Sequence, residues 1–175
     1  QYGMSAYGMG QKASLHVLEA KELLQRHKDV YHIFWKWADQ NVNAGLAGVE
    51  LHTIYGWKIR AGKGRDVKEN TFLNWPMQAN GAEMLRLACI ALEEAGICIC
   101  APVHDAILIE APLDAIDQHV ERATHEMQKA SGWVLVRGRQ CRVDAEIVRW
   151  PDRYIDGRGT DMWSFIQSRL GEEAA

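Results

Sequence analysis

The spacing of hydrophobic positions changes repeatedly along the chain, and each change marks an element. Leu15, Leu18 and Glu22 share a helical face among alanine-rich neighbours, and Ser14 stands as an N-cap, which predicts a helix to about His27. Asp29 opens a second pattern in which Val30, Ile33, Phe34, Trp37 and Ala38 recur at helical spacing until Gly45 and Gly48. Before both, the run from Tyr2 to Gly10 holds too many glycines for a helix interior and reads as a loop or helix end. Val49 to Ile59 alternates around Tyr55-Gly56, as a hairpin does. Pro76 precedes a long helical pattern with Ala82, Leu85, Cys89 and Leu92 on one stripe and Gly96 as C-terminal cap. Two apolar runs, Ile97 to Val103 and Ala106 to Ile109, enclose His104-Asp105, a tight hairpin (97–110) with its acid at the tip. Pro112 opens another helix with Ile116, Val120, Ala123 and Met127 in register, ended by Gly132. Cys141 to Val148 alternates as a strand, and a short helix near Met162 to Leu170 lies in the polar tail. Helices, hairpin, helix, hairpin, helix, strand is an α+β order, with helices packed on a small antiparallel sheet.

At 175 residues, 47% hydrophobic and 25% charged, the chain is of single-domain size and ordinary globular composition. Net charge is −3, so no global basic field points to nucleic acid. Charge is uneven, however. Lys58, Arg60, Lys63, Arg65 and Lys68 stand against Asp66 alone, a strip suited either to phosphate contacts or to plain solvation. Residues 110–128 carry Glu110, Asp114, Asp117, Glu121 and Glu126 against Arg122. Cys98 and Cys100 share a strand face without the C-x-x-C spacing of a zinc site, so free thiols of a reducing compartment are expected. No apolar run approaches the ~20 residues of a membrane span. Lys63 lies between Gly62 and Gly64, but the Walker frame is absent.

Two constellations can carry chemistry. A carboxylate at a hairpin tip, Asp105, projects on a rigid support as a divalent-metal ligand must, although Asp is also common in ordinary turns. Asn74 and Gln78 carry amides able to meet the acceptors that every base pair offers in the DNA minor groove, a check of geometry without sequence. Helix capping by Asn74 and a solvent-facing Gln78 are the plain alternative. Trp35, Trp37, Trp57 and Trp75 suit either a core or base stacking.

The order Tyr2-Gly3-Met4-Ser5, then Asn74-x-Pro76-x-Gln78, then Val103-His104-Asp105 resembles the C-terminal part of the family A DNA polymerases over nearly the whole chain. Thr53-x-x-Gly56 and the strand at 141–148 fall where that family has its own. The resemblance implies a fingers-like helical part at 1–48 and a palm-like part at 49–175. It implies Asp105 as one of two carboxylates holding paired Mg²⁺, His104 near the primer terminus, and Asn74 and Gln78 on the minor groove. Tyr2 would end the fingers helix beside the nascent pair, with Gly3 letting the chain turn. Lys63 and Arg65 would contact DNA. The implied partners are primer-template DNA, dNTP and an upstream part of the same polymerase that carries the first catalytic Asp, in a bacterial or phage-infected cytoplasm. The isolated chain is then expected to be inactive. One departure is Ala106, where the family usually has an acid. Three rivals stand: a non-catalytic nucleic-acid-binding remnant, a single-subunit RNA polymerase, and a His-Asp phosphohydrolase, which would need the dipeptide on a helix.

Overall fold

A computed structural model of the chain describes residues 3–61 and 68–173. Three helices come first: α1 Ala6–Ala13, α2 Val17–Val30 and α3 His32–Leu46. A minimal hairpin, β1 Leu51–His52 with β2 Lys58–Ile59, leads to the long helix α4 Glu69–Glu94. Hairpin β3 Cys98–Val103 and β4 Ala106–Glu110 follows, then α5 Ile116–Val134, a 3₁₀ turn at Val136–Gly138 and α6 Thr160–Glu173. The class is α+β, and among the described residues the strands form two antiparallel pairs.

The core at the β3–β4 sheet follows from strand alternation. Ile99 points inward from β3 and Ile107 and Ile109 from β4, onto Leu92, Ala95 and Ile97 at the end of α4 and Ala123 and Met127 of α5. Cys98, Cys100, Leu108 and Glu110 face out. Gly96, at φ +72, closes α4 as expected: Ile97 N–H donates to Leu92 O at 3.0 Å, and the chain turns directly into β3.

Several expectations are corrected. The glycine-rich start is helical, because Ser5 caps α1 by accepting from Gly8 N–H at 3.1 Å. Gly10 is tolerated inside it because a Cβ there would come within 2.9 Å of Leu15 O. Ser14 is not an N-cap; it ends α1 in left-handed conformation at φ 54. The N-cap of α2 is His16, which accepts from Leu18 N–H at 3.3 Å while Glu19 accepts from His16 N–H at 2.9 Å. Helix α4 begins at Glu69, ahead of Pro76, which lies inside it. Phe72, fully buried and packed on Gly45 of α3, holds the added N-terminal stretch, about two turns, in place despite the proline. Helix α5 runs through Gly132 to Val134. Trp57 is exposed and Trp37 partly so, whereas Trp35 and Trp75 are half-buried.

The strand expected at 141–148 has no ladder partner among the described residues. Its alternation is real, but pairing needs a neighbour within hydrogen-bond reach, and a groove separates it from β4. Both ends are tied to α5. Cys141 N–H donates to Ser131 Oγ at 2.8 Å, and Arg149 Nη2 grips both Asp117 oxygens at 2.6 and 2.7 Å. The two anchor points on α5 are about 21 Å apart at 1.5 Å per residue, comparable with the roughly 26 Å that eight extended residue steps cover.

Candidate functional site

The pair Val103↔Ala106 closes the β3–β4 hairpin around a two-residue loop, His104-Asp105. His104 takes φ +55, a left-handed backbone that a short hairpin loop demands and that few non-glycine residues adopt. A bulge at Cys100 shifts the register between Ile99 and Ala101, two residues before Pro102. Both His104 and Asp105 are exposed, so the carboxylate stands off the sheet on the tightest turn that two strands can make.

Asp105 and Val103 sit at one end of a groove of about 720 Å³. Ala106, Ile107, Leu108 and Ile109 of β4 form one wall, α5 contributes Val120 and Met127 to its floor, and residues 142–148 form the other wall. The faces from β4 and α5 are mostly apolar, and Asp105, Arg142, Asp144 and Glu146 add charge to the lining. At the sheet's far end, Cys98 faces Glu110 across the ladder, with Sγ 3.4 Å from Oε1. That hydrogen bond, followed by desolvation, raises the Cys98 thiol above its ordinary pKa.

Helix α4 carries the amides. Asn74 and Gln78 are one helical turn apart and share a face, Asn74 half-buried and Gln78 exposed. Asn74 is in the second turn of α4, so it cannot be its N-cap. Gly3, at φ +77, packs directly on the Asn70 side chain one turn earlier, with no room for a Cβ. Gly3, Asn70, Asn74 and Gln78 therefore follow one line along α4. Tyr2, Lys63 and Arg65 lie outside the described residues.

A second polar group escaped the sequence reading. Glu83 is fully buried, accepts from Thr53 Oγ1 at 2.7 Å, and forms an ion pair with Arg86. Thr53 Oγ1 also accepts from Trp57 N–H at 3.0 Å, which pins the β1–β2 loop to α4. The available signal was Glu83's place on the buried stripe of α4, four residues after Ala79 and eleven after Phe72.

Among the described residues, no three His, Cys, Asp or Glu side chains gather into a group able to hold a metal. Asp105 offers one carboxylate, a hard-oxygen group, at the hairpin tip. No helix among the described residues is long and apolar enough to cross a membrane.

The model of DNA polymerase family A matches residues 1–147. A thermostable DNA polymerase I of Thermus caldophilus is 26% identical over 140 residues, covering 74% of this chain and 17% of that protein. DNA polymerase I of Deinococcus radiodurans is 27% identical over 128 residues, 67% of this chain and 13% of its own length. The chain thus spans less than a fifth of these relatives. Among solved structures, the polymerase domain of Pol1 from M. smegmatis, in complex with DNA primer-template and dNTP, superposes with a TM-score of 0.60 at 25% identity, covering 74% of this chain and 25% of that one.

Proposed function

This chain belongs to DNA polymerase family A, and from that premise we propose that it contributes to template-directed addition of deoxynucleotides to a primer 3′ end, with Asp105 as a catalytic metal ligand. The observation that carries this is Asp105 on the two-residue tip of β3–β4, exposed and lining the groove. Mg²⁺ fits such a ligand in kind: it takes hard oxygens and is held by only one or two carboxylates beside water and substrate phosphates. When bound, paired ions stabilise the attacking and leaving oxygens of an in-line phosphoryl displacement.

The chain's own residues do the positioning. In this role the two-residue tip holds the Asp105 carboxylate off the sheet, where it would meet the reacting phosphate, with His104 beside the primer terminus. Asn74 and Gln78 present amides to minor-groove acceptors of the newest base pairs, which tests pair geometry whatever the sequence. A β3 strand of six residues is about 20 Å long. Run back along α4 from Leu92, at 1.5 Å per residue, that length reaches roughly the level of Gln78. An antiparallel course of β3 against α4 would bring tip and amides to one level. Tyr2 and Gly3 adjoin the nascent pair, and Lys63 and Arg65 meet phosphates.

The second carboxylate then comes from a segment that this sequence does not include. The groove supports this: among the described residues β4 has an unpaired edge on one side and residues 142–148 have no ladder partner on the other, so one strand seated between them would satisfy both. Residues 1–48 and 49–175 correspond to fingers-like and palm-like parts of a bacterial or phage cytoplasmic enzyme, and the chain by itself adds no nucleotides. Ala106, beside Asp105, is the observation that favours a second reading, a nucleic-acid-binding relative without catalysis.

The test is primer extension with Mg²⁺ by the polymerase that carries this sequence, with and without Asp105→Ala. The variant should lose at least about a hundredfold in turnover, as expected when charge stabilisation of a transition state is removed, while duplex affinity stays within about twofold. Near-normal turnover of the variant removes Asp105 from the metal site. An inactive parent enzyme that still binds duplex favours the non-catalytic reading.

A further inference from the structure

Every residue from Thr160 to Gly171 is exposed, so among the described residues nothing covers that stretch of α6. The helix is nevertheless two-faced. With roughly 3.6 residues per turn, Met162, Ile166 and Leu170 form one stripe, Trp163 and Phe165 flank it, and Ser164 and Ser168 lie opposite. A helix of 14 residues is marginal in water without packing. Two serines, a threonine, a glycine and three β-branched or aromatic residues lend it little propensity. Such a helix holds only if its apolar face is buried. The size of that face bears on what can bury it. Its five apolar side chains are 39–63% exposed. At about 150–200 Å² for a side chain of this size, they present roughly 450 Å². Two such faces would remove about 900 Å² of apolar surface from water. With the usual polar share of a homodimer interface the total reaches roughly 1,400 Å², within the standard range of a specific complex.

The pattern is also its own complement. Apolar residues at equal four-residue steps read alike in both directions. Two α6 helices crossing antiparallel about Ile166 set Met162 against Leu170 of the second copy and Ile166 against itself, as a two-fold interface requires. The four-residue ridges then interlock, the commonest class of helix packing. No charge lies on residues 162–168, and Arg169 sits over the Phe165 ring of its own helix, 5.4 Å from the ring centre. A second copy therefore meets no like charge on the stripe. We infer that α6 is a dimerisation helix, its apolar stripe covered by α6 of a second copy of this chain. The lack of cations on residues 160–168 argues against a nucleic acid or an anionic membrane as the cover. The helix lies beyond residues 1–147, which carry the match to the polymerase family, so the shared fold makes no demand on this face. The inference does not rest on the catalytic reading.

The experiment is sedimentation equilibrium of the 175-residue chain across the micromolar range, repeated on the longer polymerase that carries it. Both should show a reversible monomer–dimer equilibrium. Ile166→Asp sets two acids face to face on the two-fold axis and should weaken association at least about tenfold, because like charges juxtaposed at an interface are costly. Leu170→Asp should weaken it as well, while Ser164→Asp, on the opposite face, should stay within about twofold. Because α6 packs on nothing else, the melting midpoint at low concentration should be the same in all three variants. Hydrogen exchange of the α6 amides should slow as concentration rises and lose that dependence in Ile166→Asp. A monomer at every concentration, a dimer that neither stripe variant disturbs, or equal weakening by Ser164→Asp overturns the inference. So does a longer polymerase that stays monomeric, which would assign the face to its upstream part.

Discussion

Replacing Thr53 with valine removes one hydroxyl and almost no volume from a buried position, so its cost isolates the hydrogen bonds. Two are lost. One is the 2.7 Å bond to the Glu83 carboxylate, which lies wholly inside the protein, and bonds to charged groups are worth about 1.5–3 kcal/mol. The other is the 3.0 Å bond from Trp57 N–H, worth about 0.5–1.5 kcal/mol and partly recovered by water at that half-open position. A net loss of roughly 3 kcal/mol follows, which for a chain of this size corresponds to a fall of about 6–12 °C in melting midpoint. Arg86 does not rescue the carboxylate fully, because its side chain is 42% exposed and its attraction is screened. Urea titration followed by circular dichroism measures the loss as a lower midpoint at constant slope. Replacing both partners, Thr53→Val with Glu83→Leu, removes the stranded acceptor along with its donor, so the double variant should lose clearly less than the sum of the two singles. A Thr53→Val protein within about 0.5 kcal/mol of the parent, or strictly additive single losses, a result characteristic of independent sites, would refute the buried Thr53–Glu83 bond.

Three further predictions follow from local geometry. Gly45→Ala drives a methyl group into the fully buried Phe72 ring, an overpacking worth about 1–3 kcal/mol that the same urea titration reads; an unchanged midpoint would mean that α3 and α4 are not in contact there. The Arg158 side chain bonds both oxygens of Asp156 and its backbone N–H adds a further bond, holding that carboxyl at about 2. Because the folded value is depressed, the contribution is present above the ordinary aspartate range and is lost as pH falls from there towards about 2. An NMR titration should show this, and Arg158→Ala should return Asp156 to the ordinary range; no movement in that variant would contradict the assignment. At the far end of the hairpin, the Glu110 side chain raises the Cys98 thiol, so Glu110→Gln should lower its pKa and speed alkylation near neutral pH. An unchanged rate–pH profile would break the link.

The local geometry of the candidate site was legible wherever a short stretch carries its own instruction. The β3–β4 hairpin needs only two apolar runs and a polar dipeptide, and it forms with His104-Asp105 at its tip. Gly96 caps α4 because φ +72 suits glycine and little else. Asn74 and Gln78 share a face through helical spacing alone. Helix α6 emerges around the Met162–Leu170 pattern for the same reason.

Partners, in contrast, were decided by distant parts of the chain. Periodicity at 141–148 fixes which side chains alternate but supplies no strand to pair with, so among the described residues the segment has no ladder partner and is tied to α5 by Ser131 and Asp117. Pro76 signals a helix start locally, yet the burial of Phe72 against Gly45 extends α4 back to Glu69. Glu83 looks like one more helical acid until the β1–β2 loop, thirty residues earlier, brings the Thr53 hydroxyl to it. Backbone period and turn chemistry are properties of neighbouring residues and survive in the sequence; burial and hydrogen-bond completion depend on which surfaces meet, and only the folded chain specifies that.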